Sequence, residues 1–302
     1  MVKPKTSTYK IFGTCVLSEL ELPEGILCSL TPEVTISFGS VPERIEYPLF
    51  EGTRFQVSAE EFLLKVEGVA CYHINRGKSI TIDRSEGGSD DEVRLFLLGS
   101  AFGALIHQRG MLPIHGSAIQ YKNKVIIFAG RSGAGKSTLA ASFLKKGYKL
   151  LADDVCVITI DDRGKPIVHP GYPQLKLWDD ALDQLGNNPN YYHSIRRGVK
   201  KYSVPLHSDF QNEPAELQEI YVLSGKESDP IEIKTLLGIE KFNALNTNTY
   251  CLGFLKGNSL LSSHFKHVTT ISNFCEVKQV NRPASGYQLQ ELTSIIENDF
   301  TR

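Results

Sequence analysis

The sequence lacks an excess of charge of either sign, and it also lacks a long apolar run. Its 302 residues include 33 Lys and Arg against 34 Asp and Glu, a net charge of −1 at pH 7. Nothing in this balance favours a nucleic acid or an anionic membrane as a partner. No apolar stretch reaches the ~20 residues that a membrane-spanning helix needs, and residues 1–10 lack the apolar core of a signal peptide. These absences predict a cytoplasmic protein with no nucleic-acid partner and no membrane partner.

Paired cysteines are missing as well, because no two of them stand in a C-x-x-C motif. The scattered cysteines are Cys15, Cys28, Cys71, Cys156, Cys251 and Cys275. Several lie in apolar runs, so we expect buried thiols in a reducing compartment, with neither a disulfide framework nor a zinc site. His264 and His267 lack a carboxylate partner or a further ligand pattern, which also argues against zinc.

The first part of the chain is dominated by short segments in which apolar and polar residues alternate. They cover residues 9–16, 34–38, 61–66, 70–75 and 79–82. Glycine and proline turn signals separate these segments, a pattern typical of β-strands. The polar, acidic stretch 85–91 then marks a candidate boundary between two domains. The chain length suits one large domain or two moderate ones, and we predict a small β-rich N-terminal domain over 1–88 and a second domain over 89–302.

The second part of the chain alternates strand-like and helix-like segments. A helix is predicted from Asp91 to about Gly110, with Asp91 as its cap. Strands are expected at 112–120, 124–129, 149–152, 155–160, 174–178, 219–223 and 276–280, and helices at 239–246, 259–272 and 285–300. Because 41% of the residues are apolar and 22% are charged, the pattern indicates an α/β fold and not a disordered chain.

Residues 125–137 have the sequence VIIFAGRSGAGKS, an apolar run followed by G-x-x-x-x-G-K-S. The run predicts a buried strand, and the segment after it predicts a helix that ends near Gly147. Between them, glycines let backbone N–H groups face one anion, and the helix N-terminus adds its dipole. Lys136 is expected to reach the β- and γ-phosphates of ATP, and the Ser137 hydroxyl to bind Mg²⁺. The predicted nucleotide-binding residues are Gly130, Arg131, Ser132, Gly133, Ala134, Gly135, Lys136, Ser137 and Thr138.

Two adjacent acidic residues, Asp153 and Asp154, follow Lys136 by only 17 and 18 positions. The helix, turn and strand between them form a parallel crossover, which sets strand 149–152 beside the strand of the glycine-rich motif or one place from it. Ligands bind at the carboxyl ends of parallel strands in open α/β sheets. We therefore expect both carboxylates near the phosphates, one to accept a hydroxyl proton and one to hold Mg²⁺ directly or through water. A solvated acidic turn is the alternative.

His115 belongs to the motif HGSAI, which precedes the glycine-rich loop. Together with the following GRSGAGKSTLAASFLKKGYKLLADD, this motif resembles the catalytic domain of HPr kinase/phosphorylase. The resemblance is tight over residues 115–154. It implies an α/β P-loop kinase core similar to HPr kinase and phosphoenolpyruvate carboxykinase, with an extra β layer.

The resemblance also implies roles for residues of this chain. Asp153 corresponds to the base that takes the serine proton, and Asp154 to its companion near the metal. His115 corresponds to the residue that meets the phosphorylated side chain or its attacking group, and Ser137 to the loop hydroxyl. With Lys136 added from the loop, these residues form the implied catalytic set of an ATP-dependent serine kinase.

Other parts of the chain depart from that family. The family's E-I-R-G-like stretch is replaced by PQLK, so Gln174 takes the place of a metal-ligand carboxylate beside Ser137 and Asp154. The family's C-terminal segment for the reverse, phosphorolysis reaction is not found. The segments YKIFG, RLFLLGSAFGALIHQRG, GYPQLKLW and NTYCLGFLKG are instead similar to HPr-kinase-related kinases encoded with lasso-peptide biosynthesis genes. That resemblance implies phosphorylation of the C-terminal serine of a ribosomally made precursor peptide.

A basic, glycine-containing loop supplies candidate contacts to the substrate or to its phosphates: Arg196, Arg197, Lys200 and Lys201. We expect this loop either to close over an anionic ligand or to be an ordinary solvated charge run. Lys176 and Trp178 lie two apart on a predicted strand and share one face. Lys176 is a further candidate contact, whereas Trp178 is expected in the core. Arg131 is expected either at the phosphates or in solvent.

Three functions stay open at this point. The protein is an ATP-dependent kinase of a precursor peptide, a regulatory serine kinase of a folded HPr-like carrier protein, or a non-catalytic binding module gated by ATP. The ring assemblies of the HPr enzyme family leave a homo-oligomer open as well. We favour the peptide kinase, because the similarity to the lasso-associated kinases extends over most of the chain.

Overall fold

The computed structural model describes residues 6–196, 198–206, 208–224, 230–256, 260–283 and 289–302. Within these residues the chain forms a mixed α/β fold with three β-sheets. None of the helices in these ranges combines the length and the apolar character that a bilayer-crossing segment requires.

The described residues contain short and moderate helices and many short strands. The helices are α1 (Asp90–Phe96), a π-helical turn (Leu97–Ala101), α2 (Phe102–Gln108), α3 (Lys136–Leu144), α4 (Asp179–Gln184), α5 (Gly238–Thr247), α6 (Leu260–Phe274) and α7 (Leu289–Phe300), with 3₁₀ turns at Pro189–Tyr191 and Leu252–Leu255. The first sheet has strands β1 (Ser7–Ile11), β2 (Thr14–Ser18), β3 (Ile26–Leu27), β4 (Val34–Phe38), β5 (Phe50–Glu51), β6 (Phe55–Val57), β7 (Glu61–Val66), β8 (Ala70–Asn75) and β9 (Ser79–Arg84). The later strands are β10 (Leu112–Ile114), β11 (Gly116–Tyr121), β12 (Lys124–Gly130), β13 (Lys149–Ala152), β14 (Cys156–Ile160), β15 (Pro166–His169), β16 (Gln174–Trp178), β17 (His193–Ser194), β18 (Lys201–Pro205), β19 (Ala215–Ser224), β20 (Glu232–Thr235) and β21 (Glu276–Asn281).

Strands β1–β9 form one sheet, in the order β3-β1-β2-β4-β9-β8-β7-β6-β5. The N-terminal part of the chain is thus rich in β-structure, as predicted, and β4, β7 and β8 have the predicted bounds. The single strand expected at 9–16 is wrong, because the chain reverses at Phe12 and Gly13 and pairs β1 with β2. Alternate residues such as Tyr72 and Ile74 are fully buried on one face.

The helical segment α1–α2 packs on this first sheet. Ser89 caps the segment by accepting a hydrogen bond from a first-turn N–H group, so the expected cap at Asp91 is wrong. Val93 lies in the same buried cluster as Tyr72, whose hydroxyl donates to the Val93 carbonyl at 2.9 Å. Helices α1 and α2 therefore share a core with the N-terminal strands, and the domain boundary after residue 88 stays a prediction.

The second sheet holds the glycine-rich motif of the sequence. Its strands run in the order β10-β14-β15-β19-β12-β11-β13, and β21 pairs with both β19 and β20. β11 pairs antiparallel with both β12 and β13, so those two strands are parallel and one place apart, as predicted. β19 and β21 continue the parallel direction on the other side of β12. The carboxyl ends of these four parallel strands consequently meet at one edge of the sheet.

His115 lies at a break between two strands of this sheet. The single strand expected at 112–120 is wrong, because β10 pairs with β14 whereas β11 pairs with β12 and β13. Gly116 follows the break, and a Cβ atom at this position would lie 2.8 Å from the Phe128 carbonyl oxygen. A side chain does not fit at that distance, so the close approach of β11 and β12 requires glycine.

The third sheet is small and has the strand order β16-β18-β17. Leu175 and Leu177 of β16 belong to the same buried cluster as Leu139 and Phe143 of α3. This packing explains why β16 has the bounds that its apolar alternation predicted. It also fixes β16 against the helix that follows the glycine-rich loop.

Several predicted helices differ from the structure at their ends. Helix α6 continues beyond the predicted end at residue 272, and α5 is longer than predicted by one residue at each end. Residue 259 of the predicted helix 259–272 lies outside the described residues, as do residues 285–288 of the predicted helix 285–300.

The six cysteines are all free thiols. Cys15, Cys156 and Cys275 are buried, as expected. The remaining cysteines, Cys28, Cys71 and Cys251, are only half-buried, so the expectation of buried thiols is wrong for them. The sulfur atoms of Cys15 and Cys28 lie 2.7 Å apart, in hydrogen-bond contact.

Candidate functional site

The glycine-rich loop joins β12 to α3 at the edge where the parallel strands end. Gly135 occupies the N-cap position of α3 with φ of 88°, a left-handed conformation that glycine adopts without strain. No side chain caps this helix, so the first N–H groups of α3 remain open to a ligand. These N–H groups and the helix dipole form an environment that favours an anion.

Lys136, the first residue of α3, folds back on the loop. Its ammonium group donates to the carbonyl oxygens of Gly130 and Arg131, each at 3.0 Å, and to His115 Nε2 at 3.1 Å. The side chain is buried, and burial lowers the pKa of Lys136 although the neighbouring Asp153 carboxylate opposes the shift. The ammonium therefore sits within the loop with all three donors engaged.

Asp153 follows β13 and is held by three hydrogen bonds. The hydroxyls of Ser117 and Ser137 donate to its Oδ1 atom at 2.6 and 2.8 Å, and the Lys176 backbone N–H donates to its Oδ2 atom at 2.8 Å. The residue is only 5% exposed. Three different elements, β11, α3 and β16, thus fix one buried carboxylate against the loop hydroxyl of Ser137.

Asp154 has a different environment from its neighbour. Its backbone has φ of 70°, a left-handed value that aspartate tolerates, and its Oδ2 atom accepts a hydrogen bond from Lys176 Nζ at 3.2 Å. Burial alone would raise the pKa of Asp154, but the positive charges of Lys176 and Lys201 lower it to about 2. The carboxylate is therefore ionised and partly accessible beside the loop.

Lys176 joins the two aspartates, because its backbone contacts one and its ammonium contacts the other. Burial opposes the charge of Lys176, yet Tyr172 and Asp154 raise its pKa above the usual value. The ammonium stays charged as the counterion of Asp154. The sequence singled out Lys176 as a contact to substrate or phosphate, and in the structure it binds the aspartate pair.

His115 stands between Lys136 and Asp154. Its Nδ1 atom lies 2.9 Å from the Asp154 carbonyl oxygen. A carbonyl only accepts, so Nδ1 carries the proton and Nε2 accepts from the Lys136 ammonium. Burial and then the charge of Lys136 lower the pKa of His115, which keeps the ring neutral. The Tyr250 ring lies 5.8 Å from the His115 ring, centroid to centroid.

These side chains surround a cavity of about 150 Å³, which we call the loop pocket. Its lining includes His115, Ser132, Gly133, Gly135, Lys136, Ser137, Thr138, Asp154, Lys176, Trp178, Lys201 and Arg282. The expectation of Trp178 in the core is wrong, because this residue ends β16 and is 44% exposed. The Lys201 ammonium lies 5.7 Å from the centre of its ring. The loop pocket thus has several cations, the carboxylates of Asp154 and Asp180, and an aromatic wall.

The other predicted contacts lie outside the loop pocket. Arg131 and Ala134 line another cavity, which shares Ser132, Gly133 and Arg282 with the loop pocket. Gln174 lines a separate cavity next to α1, so the structure does not bring it to Ser137.

Among the described members of the basic loop, Lys201 is the one that lines the loop pocket. Arg196 faces Glu92 at 3.9 Å, and Lys200 faces Asp179 at 3.6 Å. Arg197 lies outside the described residues.

Ser117 and Arg282 belong to this site although the sequence did not single them out. Ser117 is fully buried on β11 and contacts Asp153. Arg282 follows β21, lines the loop pocket and donates to the Ala134 carbonyl at 3.0 Å. The signal that points to Arg282 is its position after a parallel strand, which places it at the ligand edge of the sheet.

The loop pocket is lined by oxygen ligands of the kind that Mg²⁺ prefers, namely the Ser137 hydroxyl and the Asp154 carboxylate. The Asp153 carboxylate does not line the pocket itself but accepts a hydrogen bond from Ser137. In the described part of the chain, no three His, Cys, Asp or Glu side chains cluster as a preformed metal site. A divalent ion at Ser137 would therefore need further ligands from water or from nucleotide phosphates.

Comparison with known proteins gives partial matches. A family profile described as "SynChlorMet cassette protein ScmC" matches residues 89–196, less than half of the chain. A solved structure described as the Hpr(Ser) kinase/phosphatase from Coxiella burnetii is 11% identical and covers 63% of this chain and 90% of that chain, with a TM-score of 0.34. No curated protein matches the chain.

Proposed function

We propose that this protein is an ATP- and Mg²⁺-dependent kinase that phosphorylates a serine hydroxyl of a peptide. One observation carries the proposal. Asp153 binds the Ser137 hydroxyl of the glycine-rich loop, while the adjacent Asp154 lines the loop pocket beside His115 and Lys176. A nucleotide site and an accessible carboxylate therefore lie side by side, which is what transfer of a phosphoryl group to a hydroxyl requires.

The residues around the loop fit a bound magnesium nucleotide. The open N–H groups of α3, the Lys136 ammonium and the Arg282 guanidinium supply positive charge for phosphates. Ser137 and Asp153 supply the oxygen atoms for a divalent ion. When bound, Mg²⁺-ATP supplies the phosphoryl group and neutralises the charge on it. The protein contributes position and electrostatics.

We propose that the two aspartates divide the work in the opposite way from the one that the HPr kinase resemblance implies. Asp153 is buried, and both of its oxygen atoms accept hydrogen bonds, so it suits the task of holding Ser137 and the metal. Asp154 faces the loop pocket and suits the task of accepting the serine proton. Lys176, released from Asp154 as that proton arrives, is then free to stabilise the transferred phosphoryl group.

We favour a ribosomally made precursor peptide as the substrate, with the C-terminal serine of a lasso-peptide precursor as the specific acceptor. The match to a family described as a cassette protein supports a role beside the products of neighbouring genes. A kinase that modifies a precursor peptide encoded by a neighbouring gene fits this role, and it would act in the cytoplasm, where the precursor is made. Two other functions compete with this one. The protein either phosphorylates a folded carrier protein, or it is a non-catalytic module gated by ATP, and the experiment below distinguishes these functions from the peptide kinase.

The test is incubation of the protein with Mg²⁺-ATP and short serine-terminated peptides, followed by mass spectrometry. We expect a gain of roughly 80 Da per phosphate on the peptide. Asp153→Asn and Asp154→Asn are each expected to abolish transfer while nucleotide affinity survives. Asp162→Asn, at the exposed member of the adjacent pair Asp161 and Asp162, is the matched control and should keep full activity.

The requirement for Mg²⁺ distinguishes the roles of the two aspartates. If residual transfer is measurable, Asp153→Asn should need a higher Mg²⁺ concentration, whereas Asp154→Asn should lower kcat at an unchanged Mg²⁺ requirement. The reverse result would support the assignment that the HPr kinase resemblance implies, with Asp153 as the base and Asp154 near the metal. Full transfer by Asp153→Asn would contradict the proposed mechanism, and phosphorylation of a folded carrier but of no peptide would change the substrate class.

A further inference from the structure

A second cavity of about 400 Å³ lies next to the loop pocket, and we call it the side cavity. It is lined by residues of α1, of strands β16 and β18, of β17 and the residue after it, and of the turn that contains Pro23 and Glu24. Lys176 lines both the side cavity and the loop pocket. The two cavities therefore adjoin at the residue that pairs with Asp154.

The charged groups that line the side cavity are paired among themselves or with the loop pocket. Arg94 pairs with Glu24 at 3.1 Å and also with Asp91, and Lys176 pairs with Asp154 at 3.2 Å. Among the described residues of the lining, the acidic and strongly basic side chains thus have a partner of opposite charge. Arg94 is shared by two carboxylates, however, and the Oε2 atom of Glu24 is buried without a hydrogen-bond partner among the described residues. An acidic group from a ligand would therefore lose water here and meet uncompensated negative charge.

The rest of the lining is more apolar than polar. The apolar residues include Leu95 and Leu98 of α1, Ile195 beyond β17, and Pro173 and Pro205 at the ends of β16 and β18, and the polar residues are Tyr172, Gln174, His193, Ser194 and Ser203. A volume of about 400 Å³ lies in the range of small-ligand cavities. The side cavity therefore suits a few apolar side chains of an extended segment.

The position of the side cavity relative to Asp154 indicates which ligand it would bind. In the proposed reaction, the nucleotide occupies the loop side of Asp154, so the acceptor must approach from another side. The side cavity is the lined space that continues from Lys176 away from the loop. A peptide whose serine reaches Asp154 would place its neighbouring residue there.

The N-terminal part of the chain supplies one wall of this cavity. Pro23 and Glu24 belong to it directly, and α1 packs on the first sheet through residues such as Val93. On the opposite wall, Arg196 follows Ile195 and faces Glu92 of α1. The side cavity is thus built only when the first sheet, α1 and the third sheet are together.

We infer that the side cavity binds the segment of the acceptor peptide next to the phosphorylated serine, and that it selects an apolar residue at that position. The inference rests on the proposed function and deepens it. It gives the N-terminal β-rich region a role in acceptor recognition, separate from nucleotide binding.

The experiment compares short serine-terminated peptides that carry leucine or glutamate immediately before the serine. The protein is expected to prefer the leucine peptide by at least roughly tenfold in kcat/KM, a factor typical of a hydrophobic pocket. Leu95→Trp and Ile195→Trp reduce the space in the cavity from opposite walls. Each should raise the KM for the leucine peptide by roughly tenfold more than it raises the KM for ATP. Leu261→Trp, at an exposed leucine of α6, is the matched control.

Equal use of the two peptides would overturn the inference while leaving the kinase intact. The inference would also be overturned if Leu95→Trp and Ile195→Trp changed the KM for the peptide and the KM for ATP by the same factor. If the protein phosphorylates neither peptide, the proposed function fails, and calorimetric binding of the leucine peptide then decides about the cavity. Binding that Leu95→Trp weakens supports the side cavity as a peptide site, and binding equal in both proteins, or no binding at all, overturns it.

Discussion

At the scale of single residues, the carboxylate of Asp153 connects more of the site than any other group described above. It receives hydrogen bonds from Ser117 on β11, Ser137 on α3 and the backbone of Lys176 on β16. A buried carboxylate with three donors is held far more rigidly than one that faces water. The position of the loop hydroxyl relative to β13 is therefore set by this one residue.

Ser117→Ala tests that connection. The substitution removes one of three donors to Asp153 and leaves the Ser137 and Lys176 contacts. We expect kcat to fall by roughly tenfold, because a hydrogen bond to a charged group is lost in the interior. The KM for the peptide should change little. Steady-state kinetics measure both quantities.

Ser142→Ala is the matched control for this substitution. Ser142 is also buried, but it contacts Thr293 at 2.8 Å, away from the loop pocket. It should lower thermal stability without lowering kcat. If both variants lose activity to the same extent, the effect of Ser117→Ala comes from stability and not from the position of Asp153.

At the scale of secondary-structure elements, α2 is fixed to the segment that carries Tyr250. His107 of α2 is buried, and its Nε2 atom lies 2.9 Å from the Tyr250 carbonyl oxygen. The Tyr250 ring in turn contacts the ring of His115. The helix that packs on the first sheet is therefore linked to the histidine of the loop pocket through one neutral imidazole.

The pKa of His107 predicts how stability depends on pH. Burial lowers this pKa from 6.5 to about 4, although the hydrogen bond to Tyr250 opposes the shift. Between these two pH values the unfolded chain binds a proton that the folded chain does not bind. The free energy of unfolding should therefore fall as the pH drops from 6.5 to 4, by at most roughly 1.4 kcal/mol per pH unit from this residue.

Denaturant unfolding of His107→Gln across this pH range measures the contribution. Glutamine keeps a donor for the Tyr250 carbonyl but does not titrate, so the variant should show a smaller loss of stability on acidification. His193→Gln, at an exposed histidine, should behave like the unmodified protein. An unchanged slope in His107→Gln would show that His107 is protonated in the folded state as readily as in the unfolded state.

The elements differ in how well the sequence predicted them. β13 and β16 have the predicted bounds because local alternation and flanking turns define them. The break at His115 was missed because the apolar residues on both sides of His115 and Gly116 predict one continuous strand, and local pattern does not reveal that the two halves pair with different strands. Strand pairing depends on residues far apart in the sequence, and only the folded chain displays it.

At the scale of the whole molecule, a charged network joins the C-terminal helix to the parallel strands. Lys278 of β21 donates to Glu219 of β19 at 3.0 Å and to Asp299 of α7 at 2.7 Å. The Tyr221 hydroxyl lies within hydrogen-bond distance of both carboxylates but has a single proton to donate. The ammonium is therefore needed to compensate two largely buried negative charges.

Lys278→Met should destabilise the protein by about 3–5 kcal/mol, because it leaves uncompensated carboxylates in the interior. Lys234→Met is the matched control, since the exposed pair of Lys234 with Glu240 should contribute at most about 1 kcal/mol. Chemical denaturation followed by circular dichroism measures both values. Equal effects of the two variants would mean that water reaches the Lys278 network freely.

The site as a whole was predictable in part. The sequence singled out the loop, the aspartate pair and His115 from motif spacing, and the structure brings these residues together, whereas their roles stay predictions. Ser117 and Arg282 were missed because a single serine in an apolar strand and a single arginine after a strand carry no motif of their own. Their place at the site follows from the strand order, which brings β11 and β21 to the edge that also carries the loop.

The exposed position of Trp178 has a practical consequence. The chain contains one tryptophan, and it lies at the wall of the loop pocket beneath the Lys201 ammonium. Tryptophan fluorescence of the unlabelled protein is therefore emission from this one ring, and indole emission responds to nearby charge and to water. The protein has its own optical reporter at the place where nucleotide and acceptor are proposed to meet.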